Sequence, residues 1–420
     1  MSATRTIHQL KVFANATEDA HGRPTVEVTL SDGEYSVHAK VPTGDNSGTR
    51  GAKELRDRDS DRVDEAIANI NGPIADMLRL SAFDPLLIDK KLLELDGTPD
   101  KSRLGANALL GVSMATRRLA ALHAGVPLWK FIAHESNSLP AFPRLYMNML
   151  CGGVYADFRL PFQEYMVVVG GKDPVAMYHK ATTIFGRLSR IMKTRYPKAE
   201  IGREGGYSPM FADMGKPFEI LREAAAHEPD TFLALDAAAG ALSHNGLYVF
   251  NRAVYTKGEL LAVYKDIVDR FDVQSIEDPF DKGDIEGFQA MTKVLGGQIL
   301  VVGDDLTLTD PTMVRRIAFA KGANAMLVKP NQVGTIAEVY AAAVLARSAG
   351  WKLVAGHASG ETDDTFVSDL AVGLGCYGIK AGAPNRQECR VKYERLMGIG
   401  KEFFANMLVD DVSKSSAPFW

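Results

Sequence analysis

Apolar and polar positions divide the chain into two regimes. Near the start, RPTVEVTLSDGEYSVHAKVPTG alternates with a period of two, as half-buried antiparallel strands do, and Ser31-Asp32-Gly33 supplies a hairpin turn. Helical spacing follows in RVDEAIANINGPIADMLRL and in GANALLGVSMATRRLAALHAG, the second ending on a glycine stop at Gly125. These segments predict a small α+β domain over roughly residues 1–138. SNSLPAFPRL, punctuated by Pro140 and Pro143, predicts the boundary, with a second domain over 139–420.

Beyond Leu145, short apolar runs alternate with helical patterns. Six of the runs close on a charged or metal-binding residue: TFLALDAA (Asp236), DVQSIEDP (Glu277), QILVVGDDL (Asp304), NAMLVKPN (Lys329), KLVAGHAS (His357) and CYGIKAG (Lys380). The steps between them are 41, 27, 25, 28 and 23 residues, each enough for a strand, a helix and two loops. FQEYMVVV and AEIGREGG add two strand-like segments, for eight in all. The expectation is an α/β protein: a (β/α)8 barrel whose charged residues gather at the carboxyl ends of its strands. The helices between, such as PVAMYHKATTIFGRLSRIMKTRY and IAEVYAAAVLARSAG, read as packing devices, and the tail DDVSKSSAPFW reads as frayed.

Composition changes this picture little. A chain of 420 residues suits a barrel plus a smaller partner domain, and 46% hydrophobic with 24% charged residues is ordinary for a globular protein. Net charge −4 and the absence of a basic stripe argue against nucleic acid as a partner. No stretch approaches a membrane span, and the start lacks an apolar core of signal-peptide length. Cys151, Cys376 and Cys389 lie far apart, an odd number without a CxxC, so a reducing, cytoplasmic setting is expected.

The ladder residues suggest chemistry. Asp236, Glu277 and Asp304 offer three hard oxygen ligands from successive strands, a set that suits Mg2+ better than zinc. One such acid alone would more often cap a helix. Lys329, beside an apolar barrel mouth, is a candidate base if its pKa is lowered; Lys380 could do that job or serve as a fixed positive charge for a carboxylate. Glu164 in FQEYM and Glu204 in GREGG could form a carboxyl pair whose pKa values are pushed apart, keeping one protonated as an acid. Together these parts describe proton abstraction next to a carboxylate, a dianion stabilised by the cation, and anti elimination of a β-hydroxyl as water.

The residues also resemble a family. GRPTVEV, KELRD, GANALLGVS, QEYM, SIEDPF, GDDLTLTDP, VKPNQVGT, SGETDDTF and IKAGAPNR, in this order from about residue 10 to 405, resemble enolase. The resemblance implies a modified barrel with an irregular first turn, a small N-terminal domain and a homodimer. It implies metal ligation by Asp236, Glu277 and Asp304, Lys329 as the base, Glu204 as the acid and Glu164 and Gln163 beside it. Lys380, His357 and Ser359 fall at substrate-binding positions, for a small anionic carboxylate substrate.

The departures from the family share a direction. Where enolases carry His-Arg-Ser, this chain has His357-Ala358-Ser359, so the arginine that grips the substrate phosphate is missing, and alanine cannot supply a bidentate guanidinium. The metal-binding loop reads Thr43-Gly44-Asp45-Asn46-Ser47-Gly48, with Asn46 where a serine ligates a second metal. Tyr155 stands where a loop histidine is usual, while Arg50, Arg159 and Arg203 are new cations. Asn15 and His21 replace arginines of the dimer contact. An elimination set retained beside altered phosphate contacts points to related chemistry on an altered substrate. The alternatives are a glycolytic enolase with unusual loops, an enzyme resembling carboxyphosphoenolpyruvate synthase of phosphonate and phosphinate biosynthesis, and a non-catalytic enolase-fold binding protein.

Overall fold

The computed structural model describes residues 10–44, 51–211 and 213–415, with side chains to residue 403. Three strands, β1 (Lys11–Glu18), β2 (Pro24–Ser31) and β3 (Ser36–Lys40), form an antiparallel sheet in that order. Asp32 closes the predicted hairpin by accepting from the Glu34 and Tyr35 amides. The helix Ala106–Ala124 packs on this sheet and stops at Gly125, whose φ of 63° is left-handed. The packing is close: a Cβ on Gly111 would lie 2.6 Å from Val28 Cγ2.

The barrel uses β4 (Arg144–Cys151), β5 (Glu164–Val169), β8 (Thr231–Asp236), β12 (Val273–Glu277), β13 (Leu300–Gly303), β14 (Ala325–Val328), β15 (Lys352–Gly356) and β16 (Gly378–Lys380), and pairing of β16 with β4 closes it. Between these lie a small hairpin, β6 (Glu200–Ile201) with β7 (Tyr207–Ser208), and a three-stranded sheet of β9 (Ser243–His244), β10 (Leu247–Phe250) and β11 (Ala253–Tyr255). The second insertion accounts for the longest step of the ladder, from Asp236 to Glu277.

Two expectations need correction. AEIGREGG is not a barrel strand; its Glu200–Ile201 pairs with Tyr207–Ser208 just beyond it as the β6–β7 hairpin, tied to the barrel by one pair, Leu150 with Tyr207. Its place is taken by RLYMNMLC, the β4 strand, which lies directly after the proline-rich connector. FQEYMVVV is a barrel strand, but it runs antiparallel to both neighbours, β4 and β8. Elsewhere the predicted helices form, among them Pro174–Arg195 and Ile336–Ser348. The sequence reading had not singled out Ile285–Leu295, and the last helix continues to Ser415, through part of the tail read as frayed.

Strand periodicity explains how the barrel carries its charges. Tyr146, Met166, Val168, Phe232, Ala234, Val302, Ala325, Leu327 and Val354 fill the interior. Side chains alternate along a strand, so the residue two positions further along faces the same way. One step past this filling come Asn148, Glu164, Asp236, Asp304 and Lys329. Because β5 is reversed, Glu164 reaches the same mouth from the start of its strand, opposite Asp236 in register. Room is left by glycine: a Cβ on Gly378 would lie 2.3 Å from the Tyr146 ring, and one on Gly356 would lie 3.2 Å from Lys329 Cε.

The N-terminal domain is fastened over that mouth. Thr43 and Gly360 form a bridge, the Ala20 amide donates to the Glu361 carbonyl, and His21 Nε2 bonds the Ser359 carbonyl at 2.8 Å.

Candidate active site

A cavity of about 1050 Å3 opens at the mouth, walled on one side by Arg23, Lys53 and Arg56 of the N-terminal domain. At its floor the buried Lys380 ammonium lies 2.5 Å from Glu164 Oε2, 2.7 Å from Asp236 Oδ2 and 3.0 Å from both Glu277 oxygens. One strand further round, Lys329 Nζ is 2.6 Å from Asp304 Oδ2, while Gln332 donates to Asp304 Oδ1 at 2.7 Å. Thr309 steadies this corner, accepting from the Lys329 amide and donating to Gln332 Oε1.

Electrostatics follow from this pairing. Burial alone would lower both lysines, but the carboxylates facing them win, and Lys380 and Lys329 are both raised. The expectation of a lowered Lys329 is therefore corrected for this state, where the lysine is the counter-ion of Asp304. Burial, the largest single influence, would raise Asp304, but Lys329, Lys380 and Gln332 together lower it. Glu277 is pushed well above the carboxylate range by burial and then by Asp236. Lys380 is thus held in its charged form by the acids around it.

The other carboxyl pair sits across the cavity. Asn148 Nδ2 donates to Glu164 Oε1 at 2.7 Å and reaches Glu204 Oε2 at 3.5 Å. Burial, then Glu204, drive Glu164 well above its ordinary value. His357 Nε2 stands 3.5 Å from Glu204, and burial lowers its pKa to about 4, leaving a neutral ring. Among the described residues its Nδ1 has no partner, nor does Asn148 Oδ1.

The loops bearing these groups interlock. Gly202, Gly205 and Gly206 have no room for side chains: a Cβ would lie 2.5 Å from Cys151 Cβ, 2.3 Å from Asn385 Oδ1 and 2.8 Å from Asn148 Oδ1 respectively. Gly205 also has a φ of +90°. The Arg203 amide donates to the Tyr155 carbonyl. Below the far wall, the fully buried Lys392 pairs with Glu361 at 2.6 Å, and Glu361 accepts from the Ala358 and Thr362 amides at 3.1 Å each.

This arrangement matches known proteins along its length. A family model described as the enolase C-terminal TIM barrel domain matches residues 139–413, and one of the enolase N-terminal domain matches 10–132. The chain belongs to the enolase family. A relative named enolase from Methanopyrus kandleri is 40% identical over 411 residues, covering 94% of this chain and 95% of its own. Another, from Thermococcus gammatolerans, is 38% identical over 406 residues, covering 93% and 94%.

Against that enolase framework, the sequence candidates can be placed. Gln163, Glu164, Glu204, Asp236, Asp304, Lys329, His357, Ser359, Lys380 and Tyr155 all line the one cavity. Gln163 donates to Asp236 Oδ2 at 3.2 Å. Glu277 lies beneath, held by Lys380. Ala358 forms part of the buried wall. Arg203 faces the cavity, whereas Arg159 is committed to Glu200 and does not line it. Asn46, Asp45 and Arg50 lie outside the described residues.

The donors fit a hard divalent cation. Asp236 and Glu277 converge on a single ammonium, a point-charge cation, and the neighbouring Asp304 is likewise held by a lysine. Among the described residues, two tighter groups also occur, Glu164 with Glu204 and His357, and Asp278 with Asp304 and Asp305. Asp278 is structural: it accepts from the Asp304 and Asp305 amides at 3.0 and 2.8 Å and so shapes the turn after β13. Asn148, Asp278, Thr309 and Gln332 were not anticipated. A lone asparagine inside the apolar run LYMNML is the signal that was available for the first.

Proposed function

We propose that this protein is a Mg2+-dependent lyase that removes a proton next to a carboxylate and expels a β-hydroxyl as water, on a substrate differing from that of a glycolytic enolase. Asp236, Glu277 and Asp304 would hold the cation, with Asn46 a candidate for a second one. When bound, Mg2+ would supply the positive charge that stabilises the carboxylate-derived dianion and would compete with the lysines for the acids.

Lys329 Nζ, in its neutral form, takes the α-proton, and the electron pair moves into the carboxylate. The pair then returns to form the carbon–carbon double bond as the β-carbon–oxygen bond breaks. Glu204, supplied through its hydrogen-bonded partner Glu164, gives the proton that lets hydroxide leave as water. Lys380 remains charged and neutralises the substrate carboxylate; Gln163, Tyr155, Ser359 and the neutral His357 orient the rest.

The observation that carries this reading is the contrast within one cavity. Glu164, Glu204, Asp236, Glu277 and Lys380 are buried and Asp304 and Lys329 half-buried in mutual contact, while the wall where the family places a phosphate-binding arginine is Ala358. That exchange leaves volume for a bulkier group and favours an enzyme resembling carboxyphosphoenolpyruvate synthase as the second reading. The test is turnover of 2-phosphoglycerate with Mg2+, followed by ultraviolet absorbance of the enol product, with Lys329→Ala as the control. Wild-type turnover at ordinary enolase rates, at least 1000-fold reduced in the variant, would sink the altered-substrate reading. Solvent deuterium exchange at the α-carbon of phosphonate-bearing carboxylates, without turnover of 2-phosphoglycerate, is the expected result. No exchange on any substrate would favour the non-catalytic alternative.

A further inference from the structure

The cavity holds several cations, and nearly all are already engaged. Lys53 pairs with Asp100 at 2.8 Å, and Arg56 with Glu54 at 2.5 Å. Arg23 reaches Asp61 at 3.3 Å, and Lys282 stands 4.0 Å from Asp305. Lys329 and Lys380 are bound to the acids of the floor. Arg203 is the exception: among the described residues, its guanidinium has neither a carboxylate nor a hydrogen-bond acceptor.

The backbone beneath that side chain is held firmly. Gly202 donates to the Gly206 carbonyl, and Asn385 and Arg386 donate to the Gly205 and Gly202 carbonyls. The Arg203 amide is bonded to Tyr155, and the next residue is Glu204. An exposed arginine therefore stands on a fixed loop, one position from the proposed acid, lining the same cavity as Ala358. A guanidinium recognises two oxygens of one group at once, which a lysine does not.

We propose that Arg203 is the specificity-determining anchor for the substrate's second anionic group, a carboxylate or a phosphorus oxyanion, in place of the arginine that Ala358 replaces. This rests on the lyase reading above. The anion is reached from the Glu204 side of the cavity. Arg203 takes no part in proton transfer.

Calorimetric titration of the Mg2+-loaded protein with phosphonoacetate, malonate and acetate tests the assignment. Arg203→Ala should weaken at least one of the two dianions tenfold or more while changing acetate less than twofold, and Arg203→Lys should recover part of the loss. The dianion that loses more identifies the group recognised, phosphonate or carboxylate. Both dianions binding Arg203→Ala within twofold of wild type would overturn the anchor and leave the lyase reading standing. An equal loss for acetate would also overturn it, by showing a general disturbance. If the wild-type protein binds neither dianion and exchanges no α-proton, the lyase reading itself fails.

Discussion

Lys392 is a cation with no access to water, and its replacement by methionine is the most informative perturbation of the wall behind the cavity. It is fully buried and 2.6 Å from Glu361, itself nearly buried. Removing one partner of such a pair costs about 3–5 kcal/mol, because the other charge is left unpaired in a poor solvent. Glu361 retains the Ala358 and Thr362 amides, each at 3.1 Å, which soften the loss and place the expected cost near the lower end, about 3 kcal/mol. With an unfolding entropy of about 2.1 cal/mol/K per residue, this chain should lose on the order of 3–4 °C in Tm. Scanning calorimetry on wild type, Lys392→Met, Glu361→Gln and the double variant completes the cycle. The double variant, with no stranded charge, should regain more than half of the loss. A shift below 1 °C in Lys392→Met, or a double variant less stable than that single one, would refute the reasoning.

Two further outcomes are expected. His357 is held neutral down to about pH 4 while its unfolded form gains a proton near pH 6.5, so stability falls as pH drops through that window, by about 3 kcal/mol from this residue; urea midpoints at several pH values should show a flatter dependence in His357→Gln, and an unchanged slope would contradict the assignment. Gly205→Ala must place a Cβ at a φ of +90°, 2.3 Å from Asn385 Oδ1, and should cost about 1–3 kcal/mol while lowering kcat through the adjacent Glu204; a variant with wild-type Tm and kcat would show that the loop is not fixed.

Much of the site was legible because strand periodicity and chemistry coincide. Asp236, Asp304 and Lys329 each lie one inward step beyond buried aliphatic residues, so an apolar run ending in a charge marked the mouth correctly. Direction was not legible. FQEYMVVV is buried on both faces, and an apolar run reads the same for either orientation, so Glu164 could not be placed at the beginning of a reversed strand. The glycines of AEIGREGG looked like a strand end but serve close approach, and the prolines before RLYMNMLC hid the true first strand. Lys329 shows a different limit. Its neighbours decide its charge, and Asp304, which is distant in sequence, could not be weighed against burial until their separation was known.

The closing strand of the barrel has a consequence for synthesis. Glu164, Asp236 and Glu277 all meet the same ammonium, yet Lys380 belongs to β16, which the ribosome delivers about 100 residues after Glu277. At ordinary elongation rates that interval is roughly 5–20 s. During it the growing chain carries three inward-facing acids without their counter-ion, and β4 without its second neighbour. The barrel completes its circle only when the strand that carries this ammonium emerges to pair with β4. Folding of this half of the molecule is thereby tied to the arrival of β16, whereas the N-terminal sheet and its helix can form long before.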